Sequence, residues 1–329
     1  MALAAAVTVI TGCGRGGGDS AQPISNVPSA GGAREKVASA VDPAKSDFPA
    51  TGGRTLQQVA DSFTGGVEAG LAGSDFTVGV NRLAFGVIDK NGKFVYGKSA
   101  VYIAPSPNAK ARGPYPAPAD VLVTSPAFRS KQAATDTAPF AAVYGAHVPF
   151  TKPGPWSVLT VTHSGGGLLA APTQVKVIRT SADQIPAIGH MAPKVQTDTV
   201  TSAKGDEASI DTRVPPAPEL HQKSFADVVG KKPVALLFAT PQLCQSRVCG
   251  PVTDIALQLK QKYGDRMDFI HQEVYVGNDP NKGLRPPLQA FHLRSEPWLF
   301  VVGADGRITA RLEGSFGVKT FEQAINTAL

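Results

Sequence analysis

Cysteine is scarce here: the chain of 329 residues has three, so any thiol chemistry rests on one pair and one odd residue. No apolar run reaches the roughly 20 residues that a membrane-spanning helix needs, and the one at the start, residues 2–10, is too short. The net charge of +6 is spread without a dense Lys/Arg cluster or interleaved aromatics, which excludes a nucleic-acid partner. His147 and His163 lie far apart in sequence without acidic partners at ligand spacing, and read as ordinary surface or core histidines. Methionine is also sparse, at three, and the single His190-Met191 pair does not make a copper site. The sequence calls for no cofactor and no metal.

The odd cysteine is Cys13, which closes MALAAAVTVITGC. An apolar run, small residues and then a cysteine form the pattern of a bacterial secretory signal ending in a lipobox, with lipid on Cys13 as the membrane anchor. No Lys or Arg precedes the run, which points to a start site upstream of Met1. Residues 1–12 are therefore expected to be a signal peptide, and 13–70, rich in Gly, Ser, Ala and Pro up to residue 50, a flexible tether. The location that follows is extracytoplasmic and lipid-anchored at the cell membrane. In that oxidising space Cys244 and Cys249 remain as an isolated pair, and a disulfide is their expected resting state.

The length is enough for two domains. Residues 71–180 read as an all-β unit: NRLAFGVID alternates around Leu83, Phe85 and Val87, and Lys90-Asn91-Gly92-Lys93 supplies a hairpin turn. Further strands are expected over 100–104, 141–148, 156–163 and 174–178, separated by Pro- and Gly-rich loops such as PSPNAKARGPYPAPAD. Short strands at this spacing predict an immunoglobulin-like β-sandwich with Trp156 as a core anchor. Residues 181–218 are polar and carry several prolines, and read as a linker.

The last unit, 219–329, is built differently. PVALLF is a continuous apolar run of buried-strand length. The cysteine segment LCQSRVCGPV follows, then an amphipathic helix with Val252, Ile255, Ala256 and Leu259 on one face. Strands over 267–275, 298–302 and 308–312, a short helix at 287–292 and a closing helix at 320–329 complete a βαβαββα order.

LLFATPQLCQSRVCGPV after a buried strand, SEPWLFVVGADGRITARLEG and the terminal helix together resemble the thioredoxin fold, in particular extracytoplasmic thioredoxin-like domains of bacterial lipoproteins. The resemblance covers about a third of the chain. It implies a cysteine pair at the start of the helix after the first strand, and a cis-proline facing it, which Pro297 between Glu296 and Trp298 matches. Four residues separate the cysteines here where thioredoxins have two; counting back from Tyr263 places Cys249 at the second position and Cys244 at the first. The aromatic residue that usually precedes the first cysteine is replaced by Leu243, and PVALLF lacks the buried acid of thioredoxins.

Residues five apart on a regular helix advance about 7.5 Å, beyond the roughly 6.8 Å that a disulfide tolerates between Cα atoms. Cys244 is therefore expected in the loop and Cys249 in the first helical turn, or the helix begins irregularly; the pair then lies near the positive end of the helix dipole, which, helped by Arg247, lowers a thiol pKa. These features point to a thiol-disulfide oxidoreductase with protein thiol or disulfide partners, Cys244 attacking and Pro297 shaping the groove. An adaptor with a structural disulfide is the alternative. A copper carrier or peroxidase is less favoured: His271 and His292 miss the distal-histidine position, and Thr240 stands one residue too far from Cys244.

Overall fold

The computed structural model describes residues 22–133, 140–244 and 247–329. The signal peptide and Cys13 lie outside the described residues. Helices α1 (Ala33–Ala40) and α2 (Leu56–Ala60) precede strands β1 (Val67–Leu71), β2 (Phe76–Thr77), β3 (Gly79–Asp89), β4 (Ser99–Ala104), β5 (Arg112–Ala117), β6 (Ala119–Val121), β7 (Ala142–Phe150), β8 (Gly154–Ser164) and β9 (Gly167–Ile178). These strands form two sheets, ordered β1-β3-β7-β6 and β2-β9-β8-β4-β5. Alternate strand residues share a face, so Phe85 and Val87 of β3 and Tyr144 of β7 meet Val101 of β4 and Val158 of β8 in one core. Phe150 and Trp156, from different sheets, pack with ring centroids 5.3 Å apart.

The expected tether over 13–70 is instead, from residue 22 onward, part of this unit. Val27, Ala33, Val37 and Ala40 enter the sandwich core. Phe48, Leu56 and Val59 cover the outer face of the second sheet against Tyr102, Leu159 and Val161. α2 starts with a capping box: the Thr55 hydroxyl accepts from the Gln58 N–H at 3.2 Å, and the Gln58 side chain accepts from the Thr55 N–H at 3.0 Å. A few well-spaced apolar residues in a Gly- and Ser-rich segment are enough to fix it.

The second unit follows the sequence expectation. α3 (Phe225–Val228), β10 (Val234–Phe238), α4 (Cys249–Tyr263), β11 (Asp268–Gln272), α5 (Pro286–Ala290), β12 (Trp298–Val302), β13 (Ile308–Glu313) and α6 (Val318–Asn326) surround a sheet of order β11-β10-β12-β13. β10 runs parallel to β11 and antiparallel to β12, which pairs antiparallel with β13. This is a thioredoxin-like topology. β10 is apolar throughout because both its faces are covered: Ala235 and Leu237 pack toward α4 and α6, Val234, Leu236 and Phe238 toward α3 and α5.

The linker over 181–218 is also a correction, since its C-terminal part is built into the protein. Asp211, Thr212 and Arg213 are all buried. The Arg213 guanidinium donates to Asp254 of α4 at 2.8 Å, to the Pro215 carbonyl at 2.7 Å and to the Phe128 carbonyl of the sandwich unit at 2.8 Å. A buried cation needs such a full set of acceptors, because leaving one unpaired costs several kcal/mol.

The two units share a core. Ala84, Leu122 and Val143 of the sandwich pack with Phe316, Phe321 and Ile325. The buried Asp120 carboxylate accepts from the Gly317 N–H at 2.7 Å, Lys319 N–H at 3.2 Å and Thr320 N–H at 3.3 Å, capping α6 from the other unit. At Gly314 the backbone has φ of +74°, and a Cβ there would stand 1.4 Å from the Ala72 carbonyl oxygen.

Candidate functional site

The site grows from the end of β10. After Ala239 the chain turns: the N–H groups of Leu243 and Cys244 donate to the Thr240 carbonyl at 3.2 and 3.1 Å, and the Arg247 N–H donates to the Cys244 carbonyl at 3.2 Å. Cys249 then opens α4. Cys244 is 8% exposed and Cys249 fully buried. Both are thiols, and a side-chain hydrogen bond joins them.

Burial decides the character of Cys249, opposite to the lowering expected for the pair at the helix start. Desolvation first, then the hydrogen bond and charge of Cys244, push its thiol well above the ordinary range; the Thr240 N–H, bonded to the sulfur, opposes this only in part. Arg247, between the two cysteines, is exposed, and its backbone takes the left-handed conformation at φ of 59°. The Thr240 hydroxyl is buried with no hydrogen-bond partner among the described residues.

Glu296 supplies a carboxyl near the pair, which β10 itself lacks. Its carboxyl is raised from 4.5 to about 7, by burial first and then by the negative charge of Cys244 and Glu273, and it in turn raises the Cys249 thiol. The peptide Glu296-Pro297 is cis, and Pro297 is buried. Trp298 lies elsewhere: it stacks on Phe300 with centroids 5.7 Å apart in the core on the far face of the sheet, and its Nε1 donates to Ser295 at 3.0 Å. It holds β12 rather than lining the thiols.

Two neighbours of the pair escaped the sequence reading. Glu273 is fully buried and accepts from the Thr212 N–H at 2.8 Å and from its hydroxyl; that hydroxyl also accepts from the Gln242 N–H at 3.1 Å, tying the cysteine loop to the former linker. The Tyr275 hydroxyl is raised by burial first, then by Glu296 and both cysteines. Both residues follow the C-terminal end of the parallel strand β11, which is where sites of open α/β sheets gather. That rule was the available signal.

The sandwich unit reaches the site. A Cβ on Gly250 would lie 2.7 Å from the Gln132 Cβ, so the start of α4 is pressed against the 131–133 segment. Three surface clefts on the sandwich, the largest about 540 Å³ beside His163 and Lys98, contain neither cysteine.

No family model and no curated protein matches the chain. Among solved structures, a Chlorobium tepidum protein named as a thiol:disulfide interchange protein of DsbE type is similar at 14% identity, over 44% of this chain and 98% of that one, with a TM-score of 0.32. A thioredoxin-family thiol:disulfide interchange protein of Chlorobium tepidum TLS is similar at 16% identity, over 43% and 97%, with a TM-score of 0.31.

Proposed function

We propose that this chain is an extracytoplasmic, lipid-anchored thiol-disulfide oxidoreductase whose sandwich, of immunoglobulin-like type, is fixed against the catalytic unit. The observation that carries this is the hydrogen-bonded pair Cys244 and Cys249 at the opening of α4, with the half-buried carboxyl of Glu296 beside it. In the reducing direction the Cys244 thiolate attacks one sulfur of a partner disulfide. The first partner sulfur leaves as a thiolate and takes a proton from solvent, and a mixed disulfide remains. Cys249 then gives its proton to the Glu296 carboxylate and attacks the Cys244 sulfur, releasing the second partner sulfur as a thiolate that is protonated in turn. The partner gains two electrons and the chain ends as a Cys244–Cys249 disulfide.

The competing reading, an adaptor with a permanent clip, draws on the full burial of Cys249 and the contact of Gln132 with Gly250. Reduction potential and turnover on insulin or a scrambled disulfide substrate separate the two. A potential above about −300 mV with turnover is expected; a lower potential without turnover would sink the enzyme.

Glu296 gives the reaction its pH dependence. A carboxyl raised to about 7 is protonated in the folded chain at pH values where the unfolded chain has ionised it. Its stabilising contribution is full below 4.5 and lost as pH rises through about 7, while the base needed by Cys249 appears over that same rise. In the mixed disulfide Cys244 carries no charge, so Glu296→Gln is expected to abolish a carboxyl limb at or below about pH 7 in the rate of mixed-disulfide resolution. A limb unchanged in the variant would assign the proton to another group.

A further inference from the structure

Asp211, His221 and His271 come from three places in the sequence: the former linker, the turn Pro218–His221 and strand β11. None is more than 1% exposed. Their ligand atoms all lie within 4.8 Å of one another. His271 Nδ1 stands 3.2 Å from His221 Nε2 and 3.6 Å from Asp211 Oδ1, and His221 Nε2 stands 3.5 Å from Asp211 Oδ2.

The outer hydrogen bonds say what these atoms carry. His271 Nε2 lies 2.9 Å from the Ala239 carbonyl, which can only accept, so the hydrogen sits on Nε2 and Nδ1 of the neutral ring keeps its lone pair. His221 Nδ1 faces the Asp198 carbonyl at 3.4 Å; with the ring hydrogen given to that carbonyl, the lone pair lies on Nε2, the form that binds a metal. The Asp211 carboxylate is already held by the Arg213 N–H at 2.9 Å and the Ala217 N–H at 2.7 Å, with the rest of each oxygen turned to the histidines. Two imidazole nitrogens and a carboxylate thus converge away from water, a donor set that a shared proton or a metal ion holds together.

We propose that Asp211, His221 and His271 form a binding site for a divalent transition-metal ion of the zinc type. Zn–N and Zn–O bonds of about 2.0–2.1 Å in tetrahedral geometry put neighbouring ligand atoms about 3.3 Å apart. The two imidazole nitrogens, 3.2 Å apart, have that spacing, and each has a carboxylate oxygen of Asp211 close to it, Oδ2 at 3.5 Å from His221 and Oδ1 at 3.6 Å from His271; with one oxygen taken as ligand, the three atoms lie within 4.8 Å of one another. A ring N–H given to a backbone carbonyl, as from His271 to Ala239, is the usual outer support of a metal-bound histidine. Three protein ligands leave a fourth position for water. The ion would pin the segment around residues 211–221 to β11 behind the cysteine loop, since Ala239 is followed directly by Thr240, whose N–H bonds Cys249.

The cysteines compete for soft metals, so the test uses the full chain with Cys244→Ser and Cys249→Ser. After chelator treatment this protein is titrated with Zn²⁺ by calorimetry and with Co²⁺ by absorption. One equivalent of each is expected, with the visible bands of tetrahedral Co²⁺, no sulfur-to-metal charge-transfer band, and a melting temperature raised by Zn²⁺. Asp211→Asn and His221→Gln, each in that background, should weaken binding by at least about a hundredfold. No uptake by the folded double-serine protein would mean that a proton serves as the cation, and would overturn the site. So would uptake unchanged by Asp211→Asn, or uptake seen only when the cysteines are present.

Discussion

Cys249→Ser is expected to convert the chain from a turnover catalyst into a trap. Cys244, the loop-side residue, can still attack a partner disulfide, but nothing then resolves the mixed disulfide, so covalent adducts accumulate on non-reducing gels of envelope extracts. Cys244→Ser should give neither adducts nor turnover, because the buried Cys249 thiol is a poor nucleophile at neutral pH: burial and its neighbours hold it protonated. The asymmetry is the informative part. Equal trapping by the two variants would remove the assignment of attack to Cys244, and absence of adducts from both would favour the structural clip.

Gly314→Val is expected to lower stability more than any surface change. A side chain at φ of +74° meets left-handed strain of about 1–2 kcal/mol. The Cβ would also need the place of the Ala72 carbonyl oxygen, 1.4 Å away, so the junction must move, at a further cost of about 1–3 kcal/mol typical of overpacking. Gly52→Val is the control: its φ is +57°, with nothing within 4 Å of the added Cβ, so only the backbone strain applies. Urea midpoints of the two variants measure the difference. If they coincide, the contact at Ala72 does not bind the units together.

The cysteine region was legible in the sequence because its signals are local: a buried strand run, a helix period and a Glu-Pro pair before another apolar run. The first sandwich strands were legible for the same reason. What escaped depends on distant partners. Arg213 and Asp211 look like solvated linker charges until Asp254 and His271, 41 and 60 residues on, are brought against them. Strand β5 lay hidden in a Pro-rich stretch; Pro114 and Pro116 are tolerated because β5 is the edge of its sheet. The helix-start argument for Cys249 failed on magnitude, since a dipole effect worth about 0.3–1 kcal/mol at an exposed site does not offset full burial of a thiolate.

The cap on α6 bears on how the chain comes to be made. Asp120, which receives the N–H groups of Gly317, Lys319 and Thr320, is synthesised about two hundred residues before them. Domains tend to fold as they emerge, N-terminal first. On that order the carboxylate that caps the last helix is made before the helix exists, and the sandwich face is available as the surface on which α6 docks as it forms.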